Sequence, residues 1–266
     1  LIVADGTDPL LRRISLRALG RVGGDMAFPV LQRALLSKSA DDKDAAMRGL
    51  GELRDPRAAH VLADLAVLGH GKDLGALARL HLQRQPGMLA IPAVRAQMQI
   101  VQDKAIRADL VLLVGGWHDA AGVPDLMDLL REPKHAPIAS VLLEGATGLS
   151  FAAAQDRIDM AEQWYRANKQ KPQWQWLLDA LRADKVPTSL LPEQFAAEAG
   201  LVAVPELARL LVEAPEGRFW ALSAAVLRSV TGEDFGAINA QSPTEAREAV
   251  AARYRIAFET GTVSGR

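Results

Sequence analysis

Two ladders of matched positions, held at a constant offset, restrict what this chain can fold into. In the first, an apolar residue followed by small or polar ones closes a helical stretch: Leu19-Gly20, Leu50-Gly51, Leu82 and Val114-Gly115, in steps of 31, 32 and 32 residues. In the second, an apolar-Pro-x-apolar phrase opens the next stretch: Phe28-Pro29-Val30-Leu31, Ile91-Pro92-Ala93-Val94 and Val123-Pro124-Asp125-Leu126. His60 takes the Pro place in Ala59-His60-Val61-Leu62, and positions 29, 60, 92 and 124 each follow their first-ladder partner by ten residues. Two markers in phase at this period predict a helical solenoid. A single helix pair cannot bury its own apolar faces, so neighbouring pairs must stack into one continuous core.

Local signals agree with that plan. Asp8 is the N-cap of a helix from Pro9 to Val22, with proline at the first helical position, where its missing N–H is harmless. Leu10, Leu11, Ile14, Ala18, Leu19 and Val22 recur at helical spacing and are the expected buried face. Gly23-Gly24 permit the turn. A second unit has Asp41 as its cap and Asp55-Pro56 as its turn, a third runs from Lys72 to Gln102, and a fourth from Ala105 to Arg131. Beyond Lys134 the units lengthen: helices over 137–146, 157–168, 174–183, 193–199, 204–212, 218–230 and 244–259, with an irregular link over 184–192 and a loose tail over 261–266. No stretch alternates like a strand, so the chain is expected to be all-α. The division is regular repeats over 1–133 and variant repeats over 134–266, continuous with the first part.

The variant half repeats a phrase of its own. Thr147-Gly148-Leu149-Ser150-Phe151 returns as Thr231-Gly232-Glu233-Asp234-Phe235, and a long second helix follows each. Gly148 and Gly232 are expected to take the left-handed position that ends a helix, with Phe151 and Phe235 folding back as apolar plugs. The helix after the first copy carries Trp164, Tyr165 and Arg166, and the next one Trp174 and Trp176.

The apolar-Pro-x-Leu openings at Phe28-Pro29, Val123-Pro124 and Val204-Pro205, the last two followed by Leu129-Leu130 and Leu210-Leu211, resemble the short bacterial type of HEAT-like repeat, the kind also found in phycobilin lyase subunits. The resemblance spans about four-fifths of the chain. It implies a right-handed α-solenoid of stacked antiparallel helix pairs, six to seven repeats in all, that binds another protein along one face. Some HEAT-type proteins are di-iron hydroxylases with repeated His-Glu dipeptides. Here the residues after the five histidines are Val61, Gly71, Leu82, Asp119 and Ala136, so that signature is absent.

Composition and motif spacing exclude most chemistry. Thirty-one basic against 32 acidic residues give a formal charge of -1, without the basic excess of a phosphate-neutralising protein, so no nucleic acid is expected. Zero cysteines remove disulfides, thiolate nucleophiles and Cys-zinc sites. No two histidines lie three or four apart, so no helical metal pair forms, and neither metal nor cofactor is expected. There is no Gly-x-Ser-x-Gly elbow, and the paired glycines end helices instead of cradling phosphate. His118-Asp119 sits in an inter-helix turn, where Asp119 is expected to cap the following helix. The start Leu1-Ile2-Val3-Ala4-Asp5 reads as a mature form or a fragment, which leaves a cytoplasmic or an exported location open.

The expectation is therefore a non-enzymatic scaffold that binds a protein or peptide. Its partner contacts are placed at Trp164, Tyr165, Arg166, Trp174 and Trp176, because Trp, Tyr and Arg anchors dominate interfaces. Two alternatives stay open. One is a lyase- or chaperone-like subunit presenting a small chromophore between Arg166 and Asp156. The other is a nucleic-acid binder using Arg166, Lys169 and Lys171 beside the aromatics.

Overall fold

A computed structural model describes residues 8–151, 156–195 and 197–262. The segment Leu1–Asp5 and the end of the 261–266 tail lie outside the described residues. Among the described residues fourteen α-helices follow one another: α1 (Pro9–Val22), α2 (Ala27–Ala34), α3 (Ala40–Glu52), α4 (Pro56–Leu68), α5 (Asp73–Leu82), α6 (Gly87–Ile100), α7 (Lys104–Gly115), α8 (Val123–Leu129), α9 (Ala136–Thr147), α10 (Arg157–Asn168), α11 (Gln173–Ala183), α12 (Val204–Glu213), α13 (Gly217–Thr231) and α14 (Thr244–Glu259). There is no strand among the described residues, and the chain is all-α. It divides into two compact units, Leu1–Leu110 and Val111–Arg266, each an α-solenoid stack of helices.

In the first unit, glycine sets how closely the helices stack. A Cβ on Gly20 of α1 would collide with the Gly49 backbone of α3, and one on Gly49 would lie 2.6 Å from the Leu16 carbonyl. Gly51, in register with Gly20 one repeat later, meets the backbone of His81 on α5 in the same way, at 2.9 Å. Backbone-to-backbone approach of this kind admits no side chain, which explains the Gly of the Leu-Gly ladder at these two steps. Leu16, Leu31, Leu50, Leu62 and Leu82 fill the core. The Gln85 side-chain amide ties the α3–α4 turn down by donating to the carbonyls of Leu50 and Leu53.

Two expectations need correction here. Asp8 caps α1 as expected, accepting from the N–H groups of Leu10 (2.8 Å) and Leu11 (3.1 Å). Most of the expected buried face of α1 is exposed: Leu10, Leu11, Ile14, Ala18 and Val22 lie open and Leu19 is half-buried, while Leu16 and Gly20 face α3. Helical spacing identifies an apolar stripe, but only the position of the neighbouring helix decides whether it is covered. The proline ladder, in turn, does not mark a constant helix start. Pro124 and Pro205 lie in the first turn, but Pro92 is inside α6 and His60 is the fifth residue of α4. It marks a position along the second helix of each pair, and Pro92 omits one i→i−4 bond there.

In the second unit, α9, α11 and α12 pack against α13, and α14 packs on α12. The core holds Leu177, Leu181, Leu207, Leu211, Phe219, Leu222 and Tyr254. Of residues 193–199, expected as α-helix, 193–195 and 197–199 lie instead in two 3-10 turns, Pro192–Phe195 and Ala197–Ala203, and residue 196 lies outside the described residues. The irregular link before them is fastened by one carboxylate. Glu206 Oε1 accepts from the Ser189 N–H (2.9 Å) and the Thr188 hydroxyl (3.0 Å), and both its oxygens hold Arg209 at 2.7 Å. The Arg209 bonds, first, hold the Glu206 carboxyl down at about 2. Glu206→Ala is expected to lower stability by about 1–2 kcal/mol through the lost charge-assisted bonds. It should also speed proteolytic cleavage within 184–191. Cleavage at the wild-type rate in limited proteolysis would contradict this anchoring.

Candidate functional site

The two Thr-Gly phrases fold alike. At the end of α9 the Thr147 hydroxyl donates to the Leu143 carbonyl (2.6 Å) and accepts from the Leu149 N–H (3.2 Å). At the end of α13 Thr231 does the same with Leu227 (2.7 Å) and Glu233 (3.1 Å). Gly148 (φ 76°) and Gly232 (φ 71°) both take the left-handed position and donate back to the carbonyls of Glu144 and Arg228. Phe151 is buried, with its N–H given to Glu144 Oε1 at 2.6 Å. Phe235 is half-buried and meets Tyr254 edge-on at 4.7 Å, while the Tyr254 hydroxyl donates to the Glu233 carbonyl. These are helix endings whose threonine hydroxyls and glycine N–H groups are used locally. Residues 152–155, just after the first copy, lie outside the described residues.

The aromatic run divides between core and surface. Trp176 is buried, its indole N–H donating to the Asn168 carbonyl at 2.9 Å. Trp164 stands edge-on against it, with ring centroids 5.1 Å apart, and Trp174 stacks on Phe195 at 4.9 Å. The Trp164–Trp176 contact joins α10 to α11, and the Trp174–Phe195 stack joins α11 to the 3-10 turn Pro192–Phe195. Tyr165 and Arg166 turn the other way, into a groove of about 250 Å³ between α8 and α10. Pro124, Met127, Asp128, Arg131 and Glu162 complete its lining.

The groove has an apolar floor and a charged rim that follow from helical spacing. Pro124, Met127, Asp128 and Arg131 recur three or four apart on α8 and its end, as do Glu162, Tyr165 and Arg166 on α10. Asp128 holds Arg131 at 2.8 Å, Arg131 also reaches Glu162, and Glu162 holds Arg166 at 3.2 Å. Charges thus alternate along the rim, and their partners hold the arginines in place. Sequence reading singled out Tyr165 and Arg166 by residue type. It did not single out the α8 side, because neither Asp128 nor Arg131 stands out within its own segment.

Other candidates are engaged elsewhere. Lys171 pairs with Asp179 at 2.9 Å, so two of the three cations near the tryptophans, Arg166 and Lys171, already hold carboxylates. Asp156 precedes α10 and Arg166 is in its last turn, about 15 Å apart along the axis, so the pair does not converge on one ligand. Asp119 accepts from the Ala121 N–H and caps a 3-10 turn before α8, while His118 turns inward, with Nδ1 3.3 Å from the Leu142 carbonyl. His70 faces Asp109 and His135 faces Glu132, each as a single pair. No group of three His, Asp or Glu that could hold a metal occurs among the described residues, and none of their helices is long and apolar enough to cross a membrane.

Compared with known proteins, residues 1–80 match the family model for HEAT repeats. No curated protein and no solved structure matches the chain. HEAT repeats commonly form protein-interaction scaffolds.

Proposed function

We propose that this chain, a HEAT-like repeat protein, is a non-catalytic scaffold that holds a segment of another protein in the α8–α10 groove. One observation carries the reading: Tyr165 and Met127 line a groove whose rim residues, Asp128, Arg131, Glu162 and Arg166, alternate in charge. Such a rim fixes the orientation of a peptide laid along it, while an aromatic and a methionine on the floor supply adaptable apolar contact. The groove holds no nucleophile beside a base, and its charged groups are paired with each other. That arrangement suits recognition better than proton transfer.

The test is capture of partners from the native host by cross-linking and mass spectrometry, with Tyr165→Ala and Arg166→Glu set beside the wild type. Loss of an interface anchor costs about 2 kcal/mol or more, so the recovered partners should fall roughly thirtyfold in affinity with the melting temperature little changed. Equal recovery by both variants would remove the groove from consideration.

A further inference from the structure

The turns that lead from one helix pair to the next carry a pattern that the fold does not use. Leu36, Leu68 and Ile100 stand 32 residues apart and are 83%, 78% and 67% exposed. Leu68 and Ile100 are the last residues of α4 and α6, and Leu36 lies two residues past the end of α2. A half-buried aliphatic neighbour accompanies each: Leu35, Val67 and Val101. An exposed lysine follows within four residues in every case, Lys38, Lys72 and Lys104. Scattered single apolar residues on a surface are ordinary, whereas one repeated in every structural unit forms a row.

Helix order places that row on one edge of the first unit. α2, α4 and α6 are the second helices of successive pairs, and α4 packs against both of the others. Second helices of stacked repeats run in the same direction, so their C-terminal ends share an edge. At an interaxial spacing of about 8–10 Å the three tips span roughly 20 Å. The edge is also positive. Lys38, Lys72 and Lys104 enter no ion pair among the described residues, while most acids beside them are occupied. Asp41 and Asp42 hold Arg13 and Arg12, and Asp103 accepts from the N–H groups of Ala105 and Ile106, which leaves Asp73. The turns of the opposite edge hold Asp25, Arg54, Asp55 and Arg84, with both signs of charge and no lysine.

We propose that this edge of the first unit docks on an anionic lipid surface. Residue type favours lipid over a protein partner. Protein interfaces are built on Trp, Tyr and Arg anchors and are depleted in lysine, whereas this row is aliphatic and its unpaired cations are all lysine. Turn tips aligned along one edge can also meet a plane together. Leu36, Leu68 and Ile100 enter the boundary between headgroups and acyl chains, and the lysines keep their ammonium groups at phosphate level on long apolar stems. Such contact needs no spanning helix. Three small insertions with three lysines give reversible binding that weakens as salt screens the charges.

Flotation of the intact chain with lipid vesicles tests this. Phosphatidylcholine vesicles containing about one-third phosphatidylserine should carry the chain upward, and phosphatidylcholine alone should leave most of it behind. The triple variant Lys38→Gln/Lys72→Gln/Lys104→Gln should weaken partitioning roughly a hundredfold, and Leu68→Asp roughly tenfold. Both should melt with the wild type, because the sites are exposed. The absence of cysteine adds a positional readout. An environment-sensitive fluorophore on Leu68→Cys should shift to the blue on anionic vesicles, and one on Arg84→Cys, at the opposite edge, should not. No binding to anionic vesicles, equal binding by the lysine variant, or equal shifts at the two labelled positions would each overturn the proposal. An edge that serves a protein partner would give the first of these results. None of these outcomes bears on the α8–α10 groove, whose variants are read by partner capture.

Discussion

Replacing Gly148 by valine is expected to destabilise the second unit by about 3–4 kcal/mol. Gly148 sits at φ 76°, and the left-handed region costs an L-residue about 1–2 kcal/mol, more when it is β-branched. A Cβ there would also lie 2.6 Å from the Ala180 Cβ on α11 and 3.1 Å from Leu222 on α13, an overlap that adds about 1–3 kcal/mol. The turn cannot easily shift to relieve it. Its carbonyl accepts from the buried Arg218 guanidinium at 2.6 Å, and Arg218 is held in turn by Asp184 and Glu216. Gly71 is the control, because it has nearly the same φ of 74° and nothing within 4 Å of an added Cβ. Gly71→Val should show the backbone effect alone, about 1–2 kcal/mol. Chemical denaturation of the two variants gives both numbers, and equal losses would mean that the packing around Gly148 yields.

Acidification is the second large perturbation. His118 is buried and carries a positive φ of 53°. Its ring occupies the space left by Gly145, where an added Cβ would lie 2.5 Å from Nδ1. Burial first, and the nearby Arg228 charge second, push the imidazole down to about 4. The native state therefore keeps His118 neutral while the unfolded chain takes up a proton below about 6.5. The stability linked to this group is complete above pH 6.5 and disappears as pH falls towards 4, a loss of about 3 kcal/mol. His81, also lowered by burial, adds to the same slope. Denaturation midpoints between pH 8 and 4.5 should fall accordingly, and His118→Gln should flatten most of the decline. An unchanged slope in that variant would show that His118 titrates freely.

Both effects were partly legible in sequence. The recurrence of Thr-Gly-x-x-Phe identified Gly148 and Gly232 as helix endings, because the left-handed cap is a local backbone requirement that glycine alone meets without strain. The neighbours Ala180 and Leu222, which make valine worse there than at Gly71, come from helices 32 and 74 residues further on. His118 read as a polar turn residue. Nothing within its own segment indicates that α9 would leave a glycine-sized space for its ring.

The same division holds for the candidate site. Trp164, Tyr165, Arg166, Trp174 and Trp176 were grouped by type and proximity along the chain. In the fold, Trp176 is buried, Trp164 and Trp174 pack on other rings, and Tyr165 and Arg166 line the α8–α10 groove. The other side of that groove comes from α8, more than 30 residues earlier.

By itself the sequence determined the all-α class, the helix pairs and most of their ends, because caps, glycine turns and a period near 32 residues act within a few turns of chain. Tertiary structure alone decided which apolar stripe is covered. Leu16 is buried and Ile14 open on the same helix, although both fit helical periodicity, because α3 approaches only one side of α1. Burial is a property of two surfaces meeting, and one helix carries the pattern of only its own.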